Sequence, residues 1–442
     1  MTFEPLNDTN WIWEKINICE ASQDYLSLIA LYSILNQIRP EFSVERQISE
    51  CMRLLGIHSS PTSQAGNLNI TEFKRLSDAT TEQELLFPHR IEATQIPSAN
   101  SVTAPWMNVP PFDIQPVRLR TLINAEIVVG YDGVRVDDGL YIDDSQLTAT
   151  GKHCKPELIA DFSQPSSLSA SFECAIHIPT SMITHWGHLW GEVLPSLALL
   201  HGVSHKFSGG TVFVVPEDTP SSALDAISST LPPGIDLELR PRGTRVSVQT
   251  LFAPNPTHFR NSYISEFTIE DEQRVHTVPQ GSSAIRQIHK AFLAASPDRY
   301  VVWDRSNSPM RKSSAWNSAL RELAEKYDFE LVDPSQLTFE EQCEVAGQSK
   351  ASIGMYGSWL NQVACLGQSG STCVVITGDR SYECRHLFVT ALHHGIDIRA
   401  FVVPRNLQLP YYSSSNYHSD LPLHEDTLLS LEEAFAELRA NV

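Results

Sequence analysis

Residues 351–376 read ASIGMYGSWLNQVACLGQSGSTCVVI and contain a complete strand–helix–strand pattern. The runs at 351–355 and 372–376 are short and apolar, as is typical of strands buried in a parallel sheet. The residues between them, 359–366, have the length and composition of a helix. This stretch therefore predicts a βαβ unit, in which two parallel strands are joined by a helix that packs on the sheet.

The same alternation extends from this unit in both directions along the chain. The further predicted elements are strands at 211–215, 235–239, 246–252, 299–303, 329–332 and 396–403, and helices at 185–200, 314–327 and 338–348. Strands that alternate with helices of ten or so residues predict an α/β protein with parallel sheets covered on both faces. We expect two Rossmann-like domains that face a cleft, together with an N-terminal helical extension.

The predicted boundaries divide the chain into five parts. They are a helical hairpin extension at 1–58, a linker of irregular structure at 59–114, an N-terminal Rossmann-like domain at 115–290, a C-terminal Rossmann-like domain at 291–410, and a tail helix at 411–442. The composition of the linker is rich in Ser, Thr, Asn and Pro. One helix pair, at 22–56, cannot bury both of its apolar faces alone, so we expect it to dock on the main body or to form an oligomer.

Composition and charge exclude several classes of protein. The chain has 442 residues and a formal net charge of −20, which argues against binding to nucleic acid or directly to anionic lipid. The most apolar stretches, 26–35 and 182–200, are too short or too polar to span a membrane, and no secretion signal opens the sequence. Its 8 cysteines lack a C-x-x-C pair, which predicts reduced thiols. We expect a cytoplasmic protein that reaches a membrane only peripherally, at its inner face.

Ligands of parallel sheets bind beyond the carboxyl ends of the strands, and this rule directs attention to the residues after 299–303. Arg305 and Arg311 follow this strand directly. A guanidinium carries a permanent charge and a fixed fork of donors, so it suits a diphosphate. The alternative is that the two arginines pair only with Asp298, Asp304 or solvent.

Two further segments lie at predicted strand-to-helix turns. Residues 353–361 run through two glycines into a helix, so that backbone N–H groups can approach a phosphate; the alternative is a tight turn without a ligand. Thr338 and Glu341 form a capping-box pattern, which by itself only begins a helix. Glu340 or Gln342 could still face the cleft.

A fourth segment, residues 185–195, reads HWGHLWGEVLP. On a helix, His188 and Glu192 are four residues apart and lie on one face. A carboxylate beside an imidazole can serve as a general base, although the pair could equally be a satisfied contact on a partly buried helix. Zinc is a third interpretation, with His185 and His188 as ligands, but no third ligand is near in sequence.

Together these segments resemble glycosyltransferase family 61. The family pattern H-W-x-x-E-x-L-P corresponds to residues 188–195, and the family's two arginines and asparagine correspond to Arg305, Arg311 and Asn317. The block L-[ST]-[FL]-x-[ED]-Q corresponds to residues 337–342, and G-x-H-G-A-x-L-x-N corresponds imperfectly to residues 354–361 and the next position, 362. The order and spacing of the four agree over roughly residues 118–403. The sequence departs from the family at Tyr356, Ser358 and Gln362, which replace a His, an Ala and an Asn. Tyr and Ser can still donate hydrogen bonds to a nucleotide.

The resemblance implies an inverting, metal-independent hexosyl- or pentosyltransferase with two Rossmann-like domains (the GT-B type). It implies no cofactor, a donor that is a UDP-linked nucleotide-sugar, and an acceptor that is a glycan, a lipid-linked glycan or a protein. The sequence also lacks the acidic D-x-D motif expected of a manganese-dependent sugar transferase. Glu192 is then the predicted base, and His188 orients it or shares the role. The predicted donor-binding residues are Arg305, Arg311, Asn317, Glu341, Gln342, Tyr356, Gly357 and Ser358.

Two other functions compete with this one. The first is a degenerate transferase fold that acts as a binding or assembly module, and the Tyr356 substitution favours it. The second is another enzyme of two Rossmann-like domains, such as a sugar-nucleotide epimerase, which requires no acceptor. Stabilisation of the protein by a uridine nucleotide, followed by a donor screen, separates the three.

Overall fold

The computed structural model describes residues 28, 74–75, 81–86, 89–109, 111–114, 117–137, 139–142, 162, 169–180, 183–207, 209–254, 258–259, 276–277, 279–294, 296–304, 314–378, 385–404, 421 and 423–440. The predicted hairpin at 22–56, apart from helical and buried Leu28, lies outside these residues, as do Arg305 and Arg311. The chain forms two compact units. One comprises Met1–Asn67 and Val403–Pro422, of which few residues are described. The other comprises Leu68–Val402 and Leu423–Val442, and the site lies within it.

The described strands are numbered in chain order. They are β1 (Lys74–Arg75), β2 (Thr81–Leu86), β3 (His89–Ile91), β4 (Thr94–Gln95), β5 (Asn108–Val109), β6 (Phe112–Ile114), β7 (Val117–Val128), β8 (Val134–Val136), β9 (Gly139–Ile142), β10 (Ser169–Ile176), β11 (Thr211–Pro216), β12 (Ile235–Arg240), β13 (Arg245–Pro254), β14 (His258–Phe259), β15 (His276–Thr277), β16 (Arg299–Trp303), β17 (Glu330–Val332), β18 (Ser349–Met355), β19 (Thr372–Gly378) and β20 (Asp397–Val403).

The described helices are numbered in the same way. They are α1 (Trp186–His188), α2 (Leu194–Leu200), α3 (Ser221–Thr230), α4 (Pro279–Ile288), α5 (Ser314–Lys326), α6 (Phe339–Gln348), α7 (Trp359–Leu366), α8 (Arg385–His393) and α9 (Glu425–Ala440). A π-helical segment, Leu189–Val193, joins α1 to α2, and short 3₁₀ turns occupy Pro105–Met107, His201–Lys206, Lys290–Phe292 and Pro334–Gln336.

The larger sheet combines a parallel part with an antiparallel part. Its order is β1-β9-β8-β7-β13-β10-β11-β12, and β2 pairs with β7. Strand β10 runs parallel to both β11 and β13, and β11 runs parallel to β12. Strand β7 is antiparallel to β13 and begins the antiparallel part. The continuous burial of β11 agrees with its uninterrupted apolar sequence, because a strand covered on both faces needs no polar side.

The second sheet has five strands in the order β17-β16-β18-β19-β20. Strand β16 pairs in parallel with β17 on one side and with β18 on the other, and β18 pairs in parallel with β19. Counted along this sheet, the order is 2-1-3-4-5, a common arrangement of doubly wound α/β proteins. In this arrangement the chain leaves β16 and β18 in opposite directions, which opens a crevice at their carboxyl ends.

One continuous core joins the helices that cover the two sheets. It includes Trp190 and Leu197 from the segment before β11, Phe339 from α6, Leu360 from α7 and Phe388 from α8, each at most 1% exposed. A second cluster covers the other face of the larger sheet. Burial on this scale supplies most of the driving force for folding. The elements that carry the sequence motifs therefore pack directly on one another.

Most of the elements predicted from periodicity are present. The strand at 299–303 and the helix at 359–366 have the predicted bounds. The mixed α/β architecture with parallel strands is thus confirmed, whereas the division into two GT-B domains stays a prediction. The segment 59–114 differs from the predicted linker, because it contains strands that pair with each other and with the larger sheet.

Candidate active site

A cleft of about 590 Å³ lies at the carboxyl ends of the second sheet. Its wall includes Asp304, the residue after β16, and Ser358 and Trp359, which follow β18. These positions border the crevice between β16 and β18, where the strand order reverses and where ligands of doubly wound sheets bind. The opposite wall comes from Thr184, Trp186 and the first turn of α3. The cleft thus joins the segments before β11 and after β11 to the second sheet.

Trp359 of the cleft wall stacks on a second indole, that of Trp303, which is fully buried. The rings of Trp303 and Trp359 are 5.4 Å apart and inclined by 12°. The Trp359 indole N–H donates to the Met355 carbonyl at 2.8 Å, which ties α7 to the end of β18. Gly354 makes room for this stack, since a Cβ there would lie 3.1 Å from the Trp303 Cβ and 3.2 Å from the Trp359 ring. A glycine at this position therefore lets the two rings approach without displacing either of them.

Three helices begin at the cleft, and they differ in how their first N–H groups are used. In α6 the Thr338 hydroxyl accepts from the Glu341 N–H at 3.2 Å, and the Glu341 carboxylate accepts from the Thr338 N–H at 2.8 Å. The first turns of α3 and α7 have no side-chain cap. Uncapped helix N-termini carry partial positive charge and free donors, so they suit an anionic ligand.

A buried amide network links the motif blocks below the cleft. The Gln342 amide donates to the Leu337 carbonyl at 3.1 Å, and its oxygen accepts from the amide of Gln362. When the Gln362 amide is turned over, its oxygen accepts from the Trp186 indole N–H at 3.3 Å and its nitrogen donates to the Trp359 carbonyl at 3.3 Å, and the bond that it donates to Gln342 is then lost. Gln342 and Gln362 are buried, so in either orientation the Gln362 amide is held by a neighbouring segment. The predicted motif at 337–342 thus contacts the segments that carry the other two motifs.

The predicted His–Glu pair is formed. The Nδ1 of His188 lies 2.7 Å from the Oε1 of Glu192, and their side chains are 5% and 18% exposed. His185 packs edge-to-face on His188, with ring centroids 4.9 Å apart. A carboxylate that is mostly removed from water and held by an imidazole has the arrangement of a positioned general base.

The pair lies on a helix with an irregular turn rather than on the continuous α-helix predicted for 185–200. Glu192 belongs to the π-helical segment and lies three residues before Pro195. A proline inside an α-helix lacks its N–H and clashes with the carbonyl four residues earlier, here that of Gly191. The wider π turn occurs at this point, and such turns are frequent at functional sites.

The His–Glu pair adjoins the cleft without lining it. Among the described residues the cleft wall includes Trp186 but neither His188 nor Glu192. Gly191 places the pair beside the second sheet, because a Cβ there would lie 3.9 Å from the Asn361 Oδ1 in α7. The motif at 188–195 and the motif at 354–361 are therefore direct neighbours.

Three carboxylates line the cleft, those of Asp225, Asp304 and Asp333. No basic side chain is among its described lining residues. Asp304 pairs with Arg321 at 2.6 Å, and Asp333 accepts from the Ser335 N–H at 2.9 Å. Asp225, on α3, is exposed. Positive charge for a diphosphate is thus expected from helix ends and from Arg305 and Arg311. Both arginines lie outside the described residues, so their predicted role stays a prediction.

The remaining predicted donor-binding residues occupy different surroundings. Asn317 is half-buried on α5, and Tyr356 is half-buried and packs against the core. Gly357 is buried at the turn before α7. Glu341 is exposed and is engaged in the capping box described above. Ser358 and Gln342 line the cleft itself, which leaves them best placed to touch a ligand.

Several residues of the cleft wall were missed in the sequence. Ser221, Ser222 and Asp225 begin α3, a helix that the Ser-rich sequence SSALDAISST did not predict. A signal was nevertheless present, because these residues follow the predicted strand at 211–215 at its carboxyl end. Trp186 was quoted in the motif, yet its place in the cleft wall could not be predicted from spacing.

Among the described residues, no group of three or more His, Cys, Asp or Glu side chains is arranged to hold a metal ion. The zinc interpretation of His185 and His188 gains no third ligand in that part of the chain. No helix of the described residues is both long enough and apolar enough to cross a membrane.

Comparison with known proteins agrees with the motifs. Residues 186–375 match the model of the family described as Glycosyltransferase 61. The match begins at Trp186, in the cleft wall, and ends within β19 of the second sheet. It therefore covers the His–Glu pair and the crevice between β16 and β18. No curated protein sequence matches the chain.

Proposed function

Since residues 186–375 belong to glycosyltransferase family 61, we propose that the protein is an inverting, metal-independent glycosyltransferase. It moves a sugar from a UDP-linked donor to a hydroxyl group of a glycan. The observation that carries the proposal is the hydrogen-bonded His188–Glu192 pair beside the cleft at the switch point of the second sheet. A sugar transfer needs a base and an anion site close together, and these elements supply both.

The donor diphosphate binds on the second-sheet side of the cleft. Gly357 and Ser358, directly before the first turn of α7, supply backbone N–H groups for it, and the dipole of the helix favours an anion. Arg305 and Arg311 follow Asp304 in the chain and add side-chain charge. This charge is used when the diphosphate departs, because developing negative charge is stabilised by donors that are already in place.

Glu192 acts as the base in a single displacement. The acceptor oxygen attacks the anomeric carbon, the bond from that carbon to the diphosphate oxygen breaks, and Glu192 takes the hydroxyl proton. Attack opposite to the leaving group inverts the configuration at the anomeric carbon. His188 holds the Glu192 carboxylate through the 2.7 Å contact, so that the carboxylate keeps one orientation while it accepts the proton.

The experiment that tests the proposal combines binding with turnover. UDP should raise the melting temperature of the full chain, because a ligand that binds only the native state stabilises it. A panel of UDP-sugars with glycan acceptors, analysed by mass spectrometry, should then give a product heavier by one sugar. Stabilisation by UDP without any transfer would favour the degenerate binding module. Release of a changed UDP-sugar without an acceptor would favour the epimerase.

Metal independence has its own test. Chelation by EDTA should leave both UDP stabilisation and transfer unchanged, because helix ends and arginines supply the charge that a metal would otherwise supply. A dialysed sample without chelator is the control. Loss of transfer in EDTA with recovery in manganese would contradict this part of the proposal.

A further inference from the structure

The wall of the cleft opposite the second sheet combines an aromatic side chain with several polar ones. Thr184, Trp186, Ser221, Ser222 and Asp225 contribute hydroxyl groups, an indole and a carboxylate. If the proposed donor occupies the other wall, this one is left to face the second substrate. A concave site with an aromatic surface and a few convergent polar groups is the usual composition of a small-molecule site.

Trp186 is held in one orientation. Its ring packs edge-to-face on Trp190, with centroids 6.3 Å apart, and Trp190 in turn packs on Phe339 at 5.6 Å. Its indole N–H is within 3.3 Å of the buried Gln362 amide. The side chain nevertheless remains half-buried and forms part of the cleft wall. A fixed indole is a flat apolar plate, and the C–H face of a pyranose ring is the kind of surface that packs on such a plate.

The polar groups beside this plate come from the first turns of one helix. Ser221 and Asp225 are four residues apart on α3 and therefore lie on the same face. The backbone N–H groups of Ser221 and Ser222 are further donors in this first turn, which has no side-chain cap, whereas those of Ala223 and Leu224 donate to the Pro220 carbonyl. Hydroxyl groups, N–H donors and a carboxylate together match the mixed donors and acceptors that the hydroxyl groups of a sugar present.

The charge of the wall limits which sugar fits. Asp225, Asp304 and Asp333 line the cleft, and no Lys, Arg or His is among its described lining residues. Asp304 is paired with Arg321 and Asp333 caps a turn, whereas Asp225 is exposed and lines the same cleft as Trp186. A carboxylate or a phosphate on the bound sugar would be repelled by the carboxylate of Asp225.

From this juxtaposition we infer that Trp186 and Asp225, with Ser221 and Ser222, form the acceptor subsite, and that it takes an uncharged pyranoside rather than an acidic one. The inference rests on the proposed function for the identity of the opposite wall as the donor side. It assigns the acceptor as a neutral sugar unit, and it makes Trp186 and Asp225 the residues that decide specificity.

Binding of simple glycosides to the full chain tests the inference. Saturation-transfer NMR and tryptophan fluorescence are measured with methyl gluco-, galacto-, manno- and xylopyranosides, and with the methyl glycosides of glucuronic and galacturonic acid. At least one neutral glycoside should bind, and its uronate should bind about five- to tenfold more weakly at low salt. Asp225→Asn should reduce this difference in affinity between the neutral glycoside and its uronate. Asp236→Asn, which removes the same charge from an exposed position on β12, should leave the difference unchanged.

A separate variant tests the role of the Trp186 indole. Trp186→Phe keeps an aromatic ring but loses the indole N–H contact, so it should weaken neutral glycosides and leave UDP stabilisation unchanged. Three results would overturn the inference: equal binding of neutral and acidic glycosides, no binding of any neutral glycoside, or an unchanged difference in affinity in Asp225→Asn.

UDP is titrated in parallel. If UDP binds and the glycosides do not, only the acceptor inference fails. If UDP does not bind, the proposed donor site fails, whatever the glycosides do.

Discussion

At the residue scale, the account depends on a few side chains whose positions follow from local chemistry. His188 and Glu192 were expected to meet because residues four apart share a face of a helix, and their ring and carboxylate lie 2.7 Å apart. The capping box of Thr338 and Glu341 was also predicted and is formed. Trp186 could not be placed in the same way, because its surroundings come from α3 and α7, which are distant in sequence.

A first prediction concerns the two arginines that follow β16. Arg305→Ala and Arg311→Ala should each weaken UDP binding roughly tenfold or more, because a hydrogen bond to a charged group contributes about 1.5–3 kcal/mol. Neither change should lower the melting temperature of the free protein appreciably. Isothermal titration with UDP measures the effect, and Arg439→Ala, which removes an arginine paired with Asp328 outside the cleft wall, is the control. Wild-type affinity in both variants would show that the arginines do not contact the diphosphate.

At the scale of elements, the second sheet was the most predictable part of the molecule. Strands β16, β18 and β19 are short apolar runs separated by helices of ordinary length, so their period indicated both their type and their parallel direction. The strands between residues 74 and 114 were missed because they are short and lie in a Ser-, Thr-, Asn- and Pro-rich stretch. Pairing with β7 and with each other forms them, and such long-range contacts leave no local period.

In a second element, the helix through residues 186–200, the sequence pattern predicted the type of secondary structure but not the irregular turn within it. The apolar spacing predicted a helix, and a helix is present. The π-helical turn at Leu189–Val193 was not predicted, although Pro195 in the same run indicated a disturbance. The effect of that turn on the direction of Glu192 depends on packing against α7, which is tertiary information.

The prediction at this scale concerns the turn between β18 and α7. Gly354→Ala should destabilise the protein by about 1–3 kcal/mol, because the added Cβ would press on Trp303 and on the ring of Trp359. The same shift should weaken UDP binding, since Trp359 lines the cleft. Urea unfolding monitored by tryptophan fluorescence gives the free energy of unfolding. Gly202→Ala, at a glycine with no atom within 4 Å of the added Cβ, is the matched control and should be nearly neutral.

At the scale of the whole molecule, histidines that are buried without charge set the response to acid. Burial lowers the pKa of His177, of His289 and of His394 to about 4 in each case. His289 also faces Thr230, with its Nε2 3.0 Å from the hydroxyl. Because the unfolded chain binds protons near pH 6.5 and the folded chain only near pH 4, the unfolded state holds more protons between these values. The stability from these residues is therefore complete above about pH 6.5 and is lost as the pH falls towards 4.

The prediction is that the free energy of unfolding falls steeply between pH 7 and pH 5, with each of these histidines contributing on the order of 2 kcal/mol. His289→Gln should flatten this dependence, because the amide does not titrate. His205→Gln, at an exposed position, is the control and should leave the slope unchanged. Urea midpoints at several pH values provide the measurement. A slope that is the same in His289→Gln as in the original chain would show that His289 is not neutral and buried in the native state.

In the proposed reaction, a base on the helix before β11 deprotonates the acceptor hydroxyl that attacks a donor held by the second sheet. Glu192→Gln tests it most directly, because glutamine keeps the size of the side chain but cannot accept the proton. UDP affinity should stay nearly constant, since the donor is bound by other residues. Turnover with a donor and acceptor found in the screen should fall by about 10²–10⁴-fold. Turnover of His188→Ala should fall less than that of Glu192→Gln if the ring only orients the carboxylate. Near-normal turnover in Glu192→Gln, with the fold intact, would contradict the account and remove this carboxylate from the mechanism.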